Sequence, residues 1–160
     1  MPGGPRAASG SRSESGHGGA RRLGRTGRLR RPAEFAALLG ATQWRAARRW
    51  VAASAAFSGR AEASGDTFPA NMVRFGFTVP KRHARRAVER AMVKRILREG
   101  ARHAAPGLAA RAAGRRVDLV LRLKAALPGK AAISWHELKR TLRSETDELM
   151  SKLEHELAAR

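Results

Sequence analysis

The sequence predicts an α+β fold: a two-layer sandwich with a small mixed sheet of at least three strands and the element order α-β-β-α-β-α. Two observations lead to this fold class. Residues 71–80 and 117–124 alternate apolar and polar side chains, which is the pattern of strands with one buried face. Between them, the highly charged segment 85–103 carries apolar residues at helical spacing. The three pieces therefore form a β-α-β unit whose crossover is a basic helix.

The first two elements follow from shorter patterns. A helix is expected to begin near Pro32, which suits a first turn, and to end before Gly40, which suits the position after the last turn. Its apolar side chains, on one side of the helix, are Phe35, Leu38 and Leu39. Residues 50–57 predict a strand, although Ala is a poor strand former. Residues 58–70 predict a loop by composition.

The second half of the chain contains a loop, a strand and a final helix. Residues 105–116 predict a loop around Pro106 and Gly107. The strand 117–124 places alternate residues on its apolar face: Val117, Leu119, Leu121 and Leu123. Ser134, followed three residues later by Glu137, predicts a capping box at the start of the last helix. The apolar residues of that helix, at helical spacing, are Trp135, Leu138, Leu142, Leu149 and Leu153.

Composition limits the domain organisation and the class of function. Residues 1–27 are rich in Gly, Ser and Arg and predict a disordered tail, which leaves residues 28–160 as one domain. The absence of Cys excludes disulfides, thiolate metal sites and Cys nucleophiles. The sequence has no apolar run long enough to span a membrane and no apolar core of a secretory signal, so we expect a cytoplasmic protein without a membrane partner.

The charge indicates a polyanionic partner. The chain has 33 Lys and Arg against 13 Asp and Glu, a net charge of +20. In the helix 85–103 one side is apolar, interrupted by Glu89, and the other carries no carboxylate; its cations are Arg90, Lys94, Arg95, Arg98 and Arg102. A solvated helix face is the commoner origin of a charge run, but such a face usually mixes signs because like charges four residues apart repel. A one-sign stripe on so basic a chain favours binding of nucleic acid.

The junction of the strand and the basic helix resembles the bacterial ribonuclease P protein component. Residues 74–99 read RFGFTVPKRHARRAVERAMVKRILRE. The family pattern runs roughly as R-x-G-x-(S/T)-V-(S/A)-K-K, then R-N-R-I-K-R-x-x-R-E. The matching positions are Arg74, Gly76, Thr78, Val79, Lys81 and Arg82 in the first half, and Arg90, Val93, Lys94, Arg95, Arg98 and Glu99 in the second. Where the family has Asn and Arg, this chain has Ala91 and Met92. Residues 28–35 look like the family's basic entry into its first helix, and the resemblance covers about residues 28–150.

The resemblance implies a non-catalytic protein subunit that assists a catalytic RNA. That RNA removes the 5′ leader from precursor tRNA and holds most of the Mg²⁺ itself, so the expected partners are the ribonuclease P RNA subunit and precursor tRNA. The protein would be a monomer in this ribonucleoprotein, with a left-handed βαβ crossover. The implied RNA-binding residues are Arg28, Arg30, Arg31, Arg74, Lys81, Arg82, Arg85, Arg86, Arg90, Lys94, Arg95, Arg98 and Arg102. The implied cleft for the leader contains Phe35, Phe75 and Phe77, each of which is also compatible with a place in the core.

Two other functions remain open at this point. A structural ribosomal or nucleoid protein would bind RNA or DNA through the same charge without any reaction. A stand-alone protein nuclease would need a cluster of carboxylates or histidines. The five histidines are scattered, and the sequence predicts neither a catalytic residue nor a metal ligand; they are His17, His83, His103, His136 and His155.

Overall fold

The computed structural model describes Gly3 and residues 27–60 and 73–160, in which helices and strands follow the order α-β-β-β-α-β-α. The elements are α1 (Pro32–Gly40), β1 (Trp44–Ala47), β2 (Val51–Arg60), β3 (Val73–Thr78), α2 (Ala87–Ala112), β4 (Arg115–Leu123) and α3 (Trp135–Ala159). The strands form one sheet in the order β1-β2-β4-β3. The β3–β4 pair is parallel and the other pairs are antiparallel, so the sheet is mixed and the predicted α+β class is confirmed.

The predicted β-α-β unit is present. β3 and β4 are parallel neighbours, with Phe75 opposite Leu119, and α2 connects them. β1 is not predicted by the sequence, because two of its four residues are Ala, a poor strand former, and only two of its side chains are half-buried.

The main core lies between one face of the sheet and the helices α2 and α3. The alternating apolar residues predicted for β4 are all fully buried there, as is Phe75 of β3. The helices contribute the fully buried side chains Val93, Leu97, Leu142, Leu149 and Leu153. α3 starts where it was predicted, because the Ser134 hydroxyl accepts a hydrogen bond from the Glu137 backbone N–H at 3.1 Å.

α1 packs on the opposite face of the sheet. Leu38 joins Leu29, Ala56 and Val120 in a second, smaller cluster, with Phe35 at its side. Since α1 is nine residues long, it covers only part of this face. A groove therefore remains between α1 and the rest of the sheet.

The prediction of a loop over residues 105–116 is wrong, because α2 continues through Pro106 to Ala112. Pro106 removes one helical hydrogen bond, but Leu108 and Ala112 are buried in the core, and this packing outweighs the break signal. The helix ends instead at Ala112, and the two residues that follow, Ala113 and Gly114, adopt φ angles of 51° and 84°. This left-handed conformation ends the helix, and the two residues separate it from β4, which begins at Arg115.

Three apolar side chains predicted to pack inward are exposed. Val88 is 62% exposed, Leu39 is 55% exposed and Trp135 is 36% exposed. Each lies within one turn of a helix end, where fewer neighbouring elements cover the helix. Of the predicted tail, only Gly3 and Gly27 are described, and residues 61–70 of the predicted loop also lie outside the described residues. Residues 58–60 belong to β2 rather than to that loop.

Candidate nucleic-acid interface

α2 has the two faces that its sequence predicts. Met92, Val93, Ile96, Leu97 and Gly100 are buried against the sheet and α3. Glu89, which interrupts the apolar side, accepts a hydrogen bond from the Arg86 backbone N–H at 3.1 Å. It thereby satisfies an N–H group just before the first turn and places a negative charge at the positive end of the helix dipole.

Most of the residues predicted to bind RNA are accessible. The exposed ones are Arg30, Arg31, Lys81, Arg82, Arg85, Arg86, Arg95 and Arg98. The half-buried ones are Arg28, Arg90, Lys94 and Arg102. Arg74 is buried. The accessible set extends from the segment before α1, through the turn after β3, to the outer face of α2.

The cations of α2 differ in their intramolecular partners. Arg95 pairs with Glu99 at 3.3 Å, and Arg90 donates to the backbone carbonyls of Ala84 and Arg85 at 3.0 and 2.8 Å. Lys94 and Arg98 form no ion pair with any carboxylate of the described residues. The middle of the stripe therefore keeps its positive charge free for an external anion.

A second cationic segment meets this stripe at the edge of the sheet. The Leu29 N–H donates to the Phe75 carbonyl at 2.8 Å, which holds the segment before α1 beside β3. Burial lowers the pKa of Arg28, and the positive charges of Arg98 and Arg30 lower it further. Like charges placed this close repel, and a phosphate between them would relieve the repulsion.

Arg74 has a structural position rather than the predicted RNA-binding one. Its Nε and Nη2 donate to the two carboxylate oxygens of Asp118 at 2.7 and 2.8 Å, and its Nη1 donates to Glu34 at 3.1 Å. The hydrogen bond to Asp118 raises the pKa of Arg74. Since Arg74 is 8% exposed and bidentately paired, little of its guanidinium is left for a phosphate.

The same ion-pair network positions α1. The Glu34 carboxylate also accepts hydrogen bonds from the backbone N–H groups of Arg30 and Arg31, at 2.8 and 3.0 Å. These two bonds lower the pKa of Glu34, and the charge of Arg74 adds to the effect. Asp118 of β4, Arg74 of β3 and Glu34 of α1 are therefore joined, and α1 is fixed over the sheet.

The groove beside α1 has an apolar wall and a cationic rim. It has a volume of about 950 Å³, and its wall includes Phe35 and Leu39 of α1. Thr78, Arg122 and Lys124 lie at the ends of β3 and β4. The ring of Phe35 packs directly over Gly76 of the sheet. A Cβ atom built on Gly76 would lie only 2.6 Å from Phe35 Cε1, so the close approach requires a residue without a side chain. Apolar surface for bases and cations for phosphates are the two features of a single-strand binding site.

Phe75 and Phe77 lie on the other side of the sheet, so the predicted leader-binding role of these two residues does not fit the structure. Phe75 is fully buried and Phe77 is half-buried against the core, with ring centroids 6.4 Å apart. Strand alternation explains the error, since Arg74, Gly76 and Thr78 occupy the groove face. The same alternation applied to β4 would have placed Arg122 in the groove.

The described residues contain no group of three or more His, Cys, Asp or Glu side chains arranged to hold a metal ion. His136 and His103 are exposed, and His83 is half-buried next to Arg82. Within 27–60 and 73–160, no helix combines the length and apolarity needed to cross a membrane.

Comparison with known proteins agrees with the residues that carry the resemblance. The family model described as Ribonuclease P matches residues 23–154. A search of curated proteins found no match. Because the family match spans most of the 160 residues, the chain belongs to the ribonuclease P protein family.

Proposed function

We propose that this chain is the protein subunit of a bacterial ribonuclease P, where it assists a catalytic RNA in removing the 5′ leader from precursor tRNA. Family membership supports a component of this endoribonuclease, and with it tRNA processing and RNA binding. The proposal assigns two tasks to two surfaces. The cationic face of α2 binds the RNA subunit, and the groove beside α1 binds the leader.

The assignment of α2 to the structured RNA rests on its charge. Lys94 and Arg98 form no ion pair with a described carboxylate, and Arg28 adds a third cation at the same edge of the sheet. Phosphates of a folded RNA present closely spaced negative charges that match such a surface. Arg supplies a planar fork that donates two hydrogen bonds to one phosphate.

The assignment of the groove to the leader rests on its shape and chemistry. α1 and the outer face of the sheet enclose about 950 Å³, with Phe35 and Leu39 on one side and Arg122 and Lys124 on the other. An extended single strand can place bases on the apolar wall and phosphates on the cations without any sequence-specific contact. The observation that carries the proposal is that this groove and the cationic helix α2, with Lys94 and Arg98 free of ion pairs to described carboxylates, lie on opposite faces of one sheet.

In this proposal the RNA holds the Mg²⁺ that cleavage requires. The protein acts as a monomer by binding phosphates and bases, and it supplies no catalytic residue. Its contribution is to neutralise phosphate repulsion between the RNA subunit and its substrate, and to increase the affinity for substrates that carry a leader.

The test is cleavage of precursor tRNA by a bacterial ribonuclease P RNA at limiting Mg²⁺, with and without this protein. We expect faster cleavage only when RNA and protein are both present, and no cleavage by the protein alone. The gain should be larger for a precursor with a long leader than for one with a short leader. Binding of RNA without any stimulation would instead support a structural nucleic-acid-binding protein.

Ala91→Asn is the variant that tests the departure from the family pattern. Ala91 is exposed on α2, so Asn fits there without repacking. The second family substitution, Met92→Arg, is not combined with it, because Met92 is 8% exposed and an Arg there would place a charge among apolar side chains. We expect Ala91→Asn to fold normally and to bind the RNA subunit at least as tightly as the wild type.

A further inference from the structure

We propose that a second groove, between α2 and α3, binds an unpaired nucleotide of the RNA subunit by stacking its base on Trp135. We call it the α2–α3 groove. It lies on the opposite side of the sheet from the leader groove and has a volume of about 650 Å³. The inference rests on the proposed function, since it names a further contact with the same RNA.

The floor of this groove is apolar and accessible. Trp135, the first residue of α3, is 36% exposed, and Val88, in the first turn of α2, is 62% exposed. Both residues line the α2–α3 groove and also a neighbouring pocket of about 430 Å³, so the apolar surface is continuous. A Trp side chain that is partly accessible to solvent can stack on a nucleobase, because every base presents a π face.

The rim of the groove is cationic. The Lys139 Nζ lies over the Trp135 ring, 5.8 Å from its centroid, so a stacked base either takes the other face or displaces this flexible side chain. Arg140 forms no ion pair with a described carboxylate. Arg143 is partly neutralised, since it pairs with Asp147 at 2.9 Å and lies 3.9 Å from Glu99. The net positive rim around an aromatic floor favours a nucleotide over an apolar protein segment, because the phosphate requires the cations.

The residues on the floor of the groove favour contact with a base over contact with a phosphate. Ala91 and Met92 line this groove at the two positions where the family pattern has Asn and Arg. Neither side chain can bind a phosphate, but both can contact the face of a base. Arg95 belongs to the cationic stripe of α2 and also lines the groove, so one RNA strand can reach both.

Binding of the RNA subunit tests the two parts of the site separately. We expect Trp135→Ala to weaken the affinity by about fivefold or more and Trp135→Phe, which retains an aromatic ring, to weaken it much less. We expect Arg140→Gln to lower the slope of log K against log salt by about one. Lys152→Gln is the matched control, because Lys152 is an exposed residue of the same helix outside the groove, and its slope should stay at the wild-type value.

Fluorine NMR of protein labelled with 5-fluorotryptophan gives a direct readout. The resonance of Trp135 is the one lost in Trp135→Phe, and it should shift when the RNA subunit is added. A wild-type protein that stimulates cleavage while Trp135→Ala keeps full affinity and the resonance does not move would overturn the inference and leave the proposed function intact.

The inference can also be judged if the proposed function fails. In that case the same resonance is followed during titration with a single-stranded oligoribonucleotide. A shift that Arg140→Gln weakens supports the nucleotide site, and an unmoved resonance at saturating oligonucleotide refutes it. A urea unfolding curve for each variant separates loss of binding from loss of folding.

Discussion

Replacement of Gly76 by Ala should move Phe35 and change the groove beside α1. The added Cβ would lie 2.6 Å from Phe35 Cε1, 2.8 Å from its Cζ and 3.2 Å from Val120 Cγ2. Carbon atoms pack at about 3.5–4.0 Å, so the ring has to retreat by about 1 Å. Overpacking of this kind costs about 1–3 kcal/mol, and we expect the lower half of that range because Phe35 is half-buried and borders an open groove.

The assay combines unfolding with substrate binding. We expect Gly76→Ala to lower the free energy of unfolding in urea by about 1–2 kcal/mol. Its holoenzyme should also lose part of the preference for precursor tRNA over mature tRNA. Phe35→Leu in the same background should restore stability, because the smaller side chain removes the clash. If the effects of Gly76→Ala and Phe35→Leu on stability simply add, the two residues are not coupled and the reasoning is refuted.

Three further predictions concern the ion-pair network and the cationic face. Asp118→Asn should lower the free energy of unfolding, measured by chemical denaturation, by about 3 kcal/mol. This is the lower end of the range for a broken buried ion pair, because Arg74 still pairs with Glu34. Glu34→Gln should be less stable than the wild type at pH 7. Because backbone hydrogen bonds hold the pKa of Glu34 below its ordinary 4.5, this difference should shrink as the pH falls through the folded-state pKa. Arg98→Gln should lower the salt slope of RNA binding by about one.

Each of these predictions has a control and a contrary outcome. Asp147→Asn removes an exposed partner of Arg143 and should cost less than about 1 kcal/mol; an equal loss in both variants would contradict a special role for Asp118. A stability difference for Glu34→Gln that persists at low pH would show that the charge of Glu34 is not what stabilises α1. A salt slope for Arg98→Gln equal to that of Lys152→Gln would remove Arg98 from the RNA contact.

Most of the elements were predictable from the sequence, and the exceptions were β1 and the full length of α2. The strands β3 and β4 and the helix between them were predictable because their alternation or helical spacing persists over several residues. β1 was not, since its four residues carry little strand propensity and the strand is defined by its pairing with β2. The continuation of α2 past Pro106 depends on the burial of Leu108, which local propensity does not register.

The cationic surface was predicted more completely than the groove. Charge is visible in composition, so eight of the predicted RNA-binding residues are exposed as a surface requires. The face on which a side chain lies was harder to predict for aromatic residues, because Phe75 belongs to an apolar alternation that serves the core. The pairing of Arg74 with Asp118 joins residues 44 positions apart and has no local sequence signal.

In the proposed ribonucleoprotein, the closeness of Arg28, Arg30 and Arg98 would make the stability of the folded chain depend on its RNA partner. Repulsion among these cations opposes the compact state, and dissolved salt screens it only in part. A polyanion that binds only the folded chain stabilises it in proportion to the logarithm of its free concentration. Copies made in excess of their RNA would therefore be the first to unfold and to meet proteases, so the amount of RNA would set the amount of protein that persists.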